Sequence, residues 1–382
     1  MEPTYLDNNA TTRVDPRVLD SMLPYLRERY GNPSSSHQFG AQVAAEIEHA
    51  RAQVAGLMGA RAREIIFTSG GTESNNAALR GVLAARPNKR HVVMSAVEHH
   101  SVLEVGEALE REGIAVTHVP VDGEGRLDLD ALRDALRDDT ALVSVMLANN
   151  ETGVLSPVQE VCRLAGARGV PVHTDAVNAI GKVDVNVEAL GVSLLSLSAH
   201  KIYGPKGVGA LYVRRGVAFR ATQLGGPQEQ HRRGGTLNAP GIIGIGAACE
   251  LLAGAERGST ARIRALRDRL EREVLRRFDN ARAVGAAAER TPNTSCICFA
   301  GVSAEPVLLL LSEAGVCVSS GAACSSGSLE PSHVLRAMGI PAEVAQGQVR
   351  FSLGRFNTDR DVDRLLEVLP GVLDKVAAAG LR

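Results

Sequence analysis

The chain of 382 residues has no tryptophan and only 3% aromatic residues, too few stacking side chains for a platform that binds single-stranded nucleic acid. Its 42 basic and 43 acidic residues leave a formal net charge of -1, so no overall positive field draws polyanions or anionic membrane. Direct binding to nucleic acid is not expected. Cysteine is scarce, with six residues at 162, 249, 296, 298, 317 and 324 and no C-x-x-C pair; this excludes a disulfide scaffold and makes reduced thiols the default. Apolar runs such as Val307 to Leu311 and Gly241 to Ala248 fall far short of the roughly 20 residues that cross a bilayer. The N-terminal stretch lacks the basic region and apolar run of a secretory signal, and the expected location is the cytoplasm. Lysine is also rare, five against 37 arginines, which makes each lysine conspicuous.

Ordinary globular composition, 45% hydrophobic and 22% charged, and the length predict two or three domains. From 64 to 215, short β-branched runs alternate with helical stretches: Ile65 to Thr68, His91 to Ala96, Ile114 to Val121, Ala141 to Ala148, Val170 to Thr174, Ser193 to Ser198 and Val208 to Val213. Most are apolar without alternation, as strands covered on both faces are, so an α/β fold with a mainly parallel sheet is expected. Helices fit 72–85, 101–112, 128–137, 158–168 and 241–254. Past the arginine-rich helix at 259–278 the pattern changes to strand-like Ser295 to Phe299, a helix at 305–314, Val316 to Val318, a small-residue stretch, Gln348 to Leu353 and a last helix from 359. This reads as a smaller α+β domain.

In parallel α/β sheets ligands bind beyond the carboxyl ends of the strands. The first strand runs into Thr68-Ser69-Gly70-Gly71-Thr72-Glu73-Ser74, a small turn opening a helix whose free N–H groups suit a phosphate. It lacks the G-K-[ST] element of a Walker loop, and taken alone it is more commonly a helix start capped by Thr72. Other strands end in Glu98-His99-His100, Asn149-Asn150-Glu151-Thr152-Gly153, His173-Thr174-Asp175 and Ser198-Ala199-His200-Lys201. One such end is usually a capping residue; four on a shared rim offer a buried acid, a flat ring and an amine beside a phosphate-binding turn. Those are the parts a pyridoxal phosphate enzyme needs. A metal centre built from His99, His100, His173, Asp175 and His200 ranks lower. No two of these fall at helix-face spacing, and the Lys201 ammonium opposes a cation. No resident metal is expected.

With these motifs in hand, the chain resembles the NifS/IscS-type cysteine desulfurases of the class V aminotransferase family, and most nearly the NifS branch. The resemblance runs from Tyr5-Leu6-Asp7-Asn8-Asn9-Ala10-Thr11-Thr12 through Gly31 to Ser35, Thr68 to Asn75, Ala148 to Gly153, Ser198 to Gly207 and Arg233 to Asn238. It ends with Ser319 to Ser326 and Val349 to Phe356. It implies the fold type I architecture of pyridoxal phosphate-dependent transferases. A large domain at 14–255 would carry a mixed, mainly parallel seven-stranded sheet. A smaller α+β domain would combine 1–13 with 256–382, and the protein would be a homodimer.

By that resemblance Lys201 would hold pyridoxal 5'-phosphate covalently and Asp175 would pair with its ring nitrogen. His99 would stack on the ring and act as acid and base. Gly71, Thr72, Ser198 and His200 would bind the phosphate, with Thr236 reaching over from the partner subunit. Asn150 would lie near cofactor and substrate, while Arg350 would grip the substrate carboxylate. The family usually has glutamine where this chain has Asn178, one methylene shorter, which puts its contact to the phenolic oxygen in doubt. Cys324 sits in a glycine- and serine-rich stretch that cannot pack a core, and is the expected sulfur acceptor; the other five cysteines read as small packing residues. The implied reaction takes L-cysteine to L-alanine and passes sulfur through a Cys324 persulfide to an iron-sulfur scaffold protein. A selenocysteine lyase or an aminotransferase on the same fold is the nearest alternative. A sulfur- or metal-binding scaffold using Cys296, Cys298, Cys317 and Cys324 belongs to another class.

Overall fold

The computed structural model describes residues 3–254, 258–321 and 331–379. After a short strand β1 (Thr4–Tyr5), the chain builds a seven-stranded sheet from β2 (Ile65–Thr68), β3 (His91–Ser95), β4 (Ala115–Val119), β5 (Thr140–Ser144), β6 (Val172–Asp175), β7 (Leu194–Ser198) and β8 (Gly209–Val213). Their spatial order is β2-β8-β7-β6-β5-β3-β4. Only β8 runs against its neighbours, so the carboxyl ends of β2 to β7 share one rim.

The apolar strands lack alternation because both faces are covered. Val93 and Val143 join one buried cluster, with Val43, Ile47, Ala50, Ile242, Ile245, Val158 and Val161 from the helices Gln38–Leu57, Ala239–Ala253 and Val158–Gly166. Val92, Met94 and Leu142 point the other way, onto Ala78, Leu79, Val82, Val102 and Val105 of Gly71–Ala85 and His100–Arg111. Each fully buried aliphatic side chain contributes about 1.5–3 kcal/mol. Two helices, Pro16–Arg27 and Gln38–Leu57, are absent from the sequence reading. The first contains Pro24, and in the second the exposed Ala41, Ala45 and Ala52 blur the stripe of Val43, Ile47, Ala50 and Val54 that is buried as the helix packs on Ala239–Ala253. There Gly246 permits the approach, since a Cβ on it would come within 2.6 Å of the Ala50 Cβ.

Beyond the sheet come β9 (Ala281–Ala283), β10 (Thr294–Phe299), β11 (Val316–Cys317) and β12 (Gln348–Ser352). β10 lies antiparallel between β9 and β12, and β11 pairs in parallel with β1. A separate core forms here from Leu6, Leu270, Val274, Phe299, Val307, Leu311, Phe351, Leu365 and Leu369, under the helices Ser259–Arg277, Ala304–Glu313 and Asp359–Ala378. The last helix starts at a capping box formed by Thr358 and Asp361, which satisfies two otherwise unpaired N–H groups.

The segment Asp7–Thr12 links the two regions. Asn8 Nδ2 donates to the Ser352 carbonyl at 2.9 Å and Asn9 Nδ2 to Thr294 Oγ1 at 2.9 Å, while Thr12 Oγ1 donates to the His200 carbonyl at 2.9 Å. The elements on either side of the site are thereby tied together.

Candidate active site

The shared rim gathers the side chains. Asp175 ends β6 and is 5% exposed. Its Oδ1 accepts from the Val177 N–H at 2.9 Å and its Oδ2 from Asn75 Nδ2 at 2.7 Å. The same Asn75 nitrogen donates to Ser101 Oγ at 2.8 Å, and Ser101 Oγ meets His99 Nδ1 at 2.8 Å. Carboxylate and imidazole therefore hang on one hydrogen-bonded chain, Asp175–Asn75–Ser101–His99. Sequence reading named both ends and missed the middle. Asn75 lay in a quoted motif, but only the fold places it under Asp175.

His99 also caps the helix His100–Arg111, with Nδ1 accepting from the Ser101 N–H at 3.1 Å. An imidazole nitrogen that accepts a main-chain N–H holds a lone pair, so the neutral ring carries its proton on Nε2. Burial pushes the His99 pKa below its ordinary value; Lys201 adds to the push and Asp175 opposes it. Before it in the chain, Glu98 is fully buried. One oxygen accepts from the Met146 N–H, and the other has no partner among the described residues. Burial, then the Asp175 charge, drives its pKa well up.

Lys201 follows β7 in a short 3-10 turn, Ala199–Lys201. Its Nζ donates to the carbonyls of Asn9 and Ala10, the latter at 2.8 Å. A second amine is close, since Lys182 Nζ donates to Asn9 Oδ1 at 2.9 Å and to Asn178 Oδ1 at 3.1 Å. Burial, with Lys201 and Arg350 nearby, lowers the Lys182 pKa far below the usual lysine value. His200 meets Thr11 Oγ1 at 3.1 Å, and burial takes its pKa down to about 4.

The turn after β2 opens Gly71–Ala85 with Gly70 as the N-cap residue and no side-chain cap. Thr72 is an exposed residue inside the first turn rather than the cap; the Ser69 N–H is taken by Glu73 Oε2 at 2.7 Å, while the helix start itself carries no side-chain cap on its N–H groups. A Cβ on Gly71 would come within 2.8 Å of Val177 Cγ2 and 3.7 Å of the Ser198 Cβ, so glycine keeps this cradle open beside Ser198. Thr236 is exposed and borders a shallow depression with Thr68, Ser69 and Gly207.

Arg350, on β12 and 3% exposed, donates from Nη1 to the Asn150 carbonyl at 3.1 Å and from Nη2 to Asp7 Oδ1 at 2.8 Å. Its Nε has no partner among the described residues, a buried cationic donor suited to a carboxylate. Among the other cysteines, Cys249, Cys296 and Cys298 are buried while Cys162 and Cys317 are half-buried. Burial pushes the thiols of Cys162, Cys249 and Cys298 up to about 12 and that of Cys296 well above its ordinary value. Cys324 lies outside the described residues.

This donor set fits pyridoxal phosphate. It supplies a fixed carboxylate for a ring nitrogen, an imidazole for a flat face, an amine for a carbonyl, and an uncapped helix start for a phosphate.

Comparison with known proteins agrees. The aminotransferase class-V model matches residues 4–365. The cysteine desulfurase of Cereibacter sphaeroides is 51% identical over 380 residues, covering 99% of this chain and 97% of its own. That of Sinorhizobium fredii is 51% identical over 378 residues, covering 98% of each. A solved structure of a NifS-like protein superposes with a TM-score of 0.92 at 38% identity, covering 98% of this chain and all of that one. The chain belongs to the aminotransferase class-V family, among its NifS-like cysteine desulfurases, which are pyridoxal phosphate-dependent enzymes.

Proposed function

We propose that this enzyme converts L-cysteine to L-alanine, with the rim residues dividing the work as follows. The Asp175–Asn75–Ser101–His99 chain carries the reading, because it fixes a carboxylate and an imidazole in one hydrogen-bonded frame beside Lys201. Asp175 would hold the cofactor's ring nitrogen and Lys201 its carbonyl carbon. Gly71, Thr72, Ser198 and His200 would hold the phosphate. Bound pyridoxal phosphate supplies an electron sink that makes the substrate α-proton and Cβ–S bond labile.

The in-plane Nε–H edge of Arg350 receives the substrate carboxylate, with Asn150 alongside. Lys201 Nζ takes the α-proton. His99 exchanges the thiol proton at Nε2, the atom left open by its Nδ1 bonds. The Cys324 thiolate attacks the substrate sulfur, so that an S–S bond forms and the Cβ–S bond breaks. The electron pair left at Cβ takes up a proton, Lys201 Nζ returns a proton to Cα to give alanine, and the sulfur stays on Cys324 as a persulfide.

The separate cores support a large unit at 14–255 and a small one from 1–13 with 256–382. Thr236, exposed on a single chain, supports a homodimer in which it completes the neighbour's phosphate site. No helix among the described residues is long and apolar enough to cross a membrane. The final acceptor in this reading is an iron-sulfur scaffold protein in the cytoplasm.

Incubation of the purified yellow protein with L-cysteine tests the reading. Alanine should form without a keto acid, with an added sulfur mass on Cys324. A strict keto-acid requirement would point to a transaminase instead.

A further inference from the structure

Glu151 lies in the turn after β5, 3% exposed, and the rim reading gives it no role. Its main chain is held by Asn149, whose Oδ1 accepts the Glu151 and Thr152 N–H groups at 2.9 and 3.0 Å. Its side chain meets both flanks of the stretch containing Cys324. Downstream, Ser332 Oγ donates to Glu151 Oε2 at 2.6 Å, while Ser332 itself caps the helix His333–Ala337. His333 Nε2 lies 2.9 Å from the Glu98 carbonyl and fastens that flank a second time. Upstream, Ser319 exchanges main-chain hydrogen bonds with Arg350 at 2.7 and 3.3 Å. Gly321 packs so tightly on Glu151 that a Cβ there would overlap Oε2 and both amide atoms of Gln348. Gln348 Nε2 donates to the same Oε2 at 3.0 Å.

We infer that Glu151 is a positioning residue for sulfur transfer, one carboxylate oxygen holding both described flanks, Gly321 and Ser332, of the stretch that contains Cys324. Two residues lie between Gly321 and Cys324, three steps of chain that reach at most about 11 Å, so the placement of Gly321 bounds the distance open to the thiol. Asn150, next in sequence, accepts from Arg350. The substrate-carboxylate site and the anchor of the sulfur acceptor thus belong to one turn. The buried acceptor matters because Ser332 and Gln348 both donate to it; without it the Ser332 hydroxyl loses its acceptor and Gln348 Nε2 keeps only the weak Cys296 sulfur at 3.3 Å.

The inference rests on the proposed role of Cys324, and its test separates the two. Holoenzyme with Glu151→Gln, Ser332→Ala, or both is mixed with L-cysteine in single turnover. The cofactor absorbance and the cysteine concentration giving half of the spectral change report binding. Mass spectrometry of Cys324 reports persulfide. Both single variants should bind cofactor and cysteine within about twofold of wild type, yet form persulfide tenfold or more slowly. The double variant should be no slower than the worse single one, because both break the same link. Persulfide formation within twofold of wild type in both singles, or losses that multiply in the double, would overturn the inference. Loss of cofactor in parallel with persulfide would overturn it too, by showing a general structural role. A wild type without persulfide on Cys324 would instead remove the sulfur-acceptor reading on which it stands.

Discussion

Lys182 Nζ donates to Asn178 Oδ1 at 3.1 Å across one helical turn's worth of sequence. The amide oxygen of Asn178 accepts from this amine, so the Nδ2 group points the opposite way. The shortened amide is thus held as an oriented donor. The family's glutamine would gain one methylene of reach, with the same lysine still able to accompany it.

Asn178→Gln should therefore keep cofactor retention within about twofold of wild type or improve it, as read from absorbance after dialysis. A tenfold loss would mean that the pocket has been rebuilt around asparagine.

Borohydride reduction of the yellow protein followed by peptide mapping should place the label on Lys201. Lys182 shares Asn9 with it and is the competing amine. Label on Lys182 would reassign the covalent attachment.

Asn75→Ala removes the donor to Asp175 Oδ2 and the link to Ser101. A hydrogen bond to a charged group contributes about 1.5–3 kcal/mol, so cofactor affinity should fall by roughly 10- to 100-fold. Titration of apoprotein checks this, and unchanged affinity would show that the Val177 N–H alone holds the carboxylate.

His173 is fully buried between Ser144 and Ser196, each 2.9 Å from a ring nitrogen, and burial lowers its pKa to about 4. The unfolded chain binds its proton near pH 6.5, the folded chain only near 4. Unfolding therefore takes up a proton within that window, and stability falls as pH drops from about 6.5 to about 4. The His173 share between pH 7 and pH 5 is about 2 kcal/mol. Urea unfolding at both pH values, compared with His173→Asn, should show the smaller pH loss in the variant. Equal losses would assign the acid sensitivity elsewhere.

Cys324→Ala should keep the cofactor absorbance and the spectral response to cysteine, since those depend on Lys201, Asp175 and Arg350. Alanine release should collapse by at least about 100-fold, as expected when a nucleophile is removed. Wild-type alanine production, or a persulfide found principally on Cys317, would move the sulfur acceptor.

Several features were legible in the chain itself. The apolar β-branched runs specify a sheet covered on both faces, because such residues have no other place to go. Strand-end chemistry, with His99, Asp175 and Lys201 each following such a run, marks the rim because a parallel sheet brings like ends together. Tertiary structure decided the rest. In Gln38–Leu57 the stripe of Val43, Ile47, Ala50 and Val54 is blurred by exposed alanines, and the close contact of Ala50 with Gly246 sets its place. Thr72 looked like a helix cap, but Gly70 took that position with a φ of +156°, a conformation that residues bearing a side chain rarely adopt. Asn75, Ser101, Asn9, Lys182 and Glu151 are polar residues whose meaning lies in partners 26 to 197 positions away. Local pattern carries no record of such distant partners; only the packing of one core on the other, with Asp7–Thr12 between, sets which donor meets which acceptor.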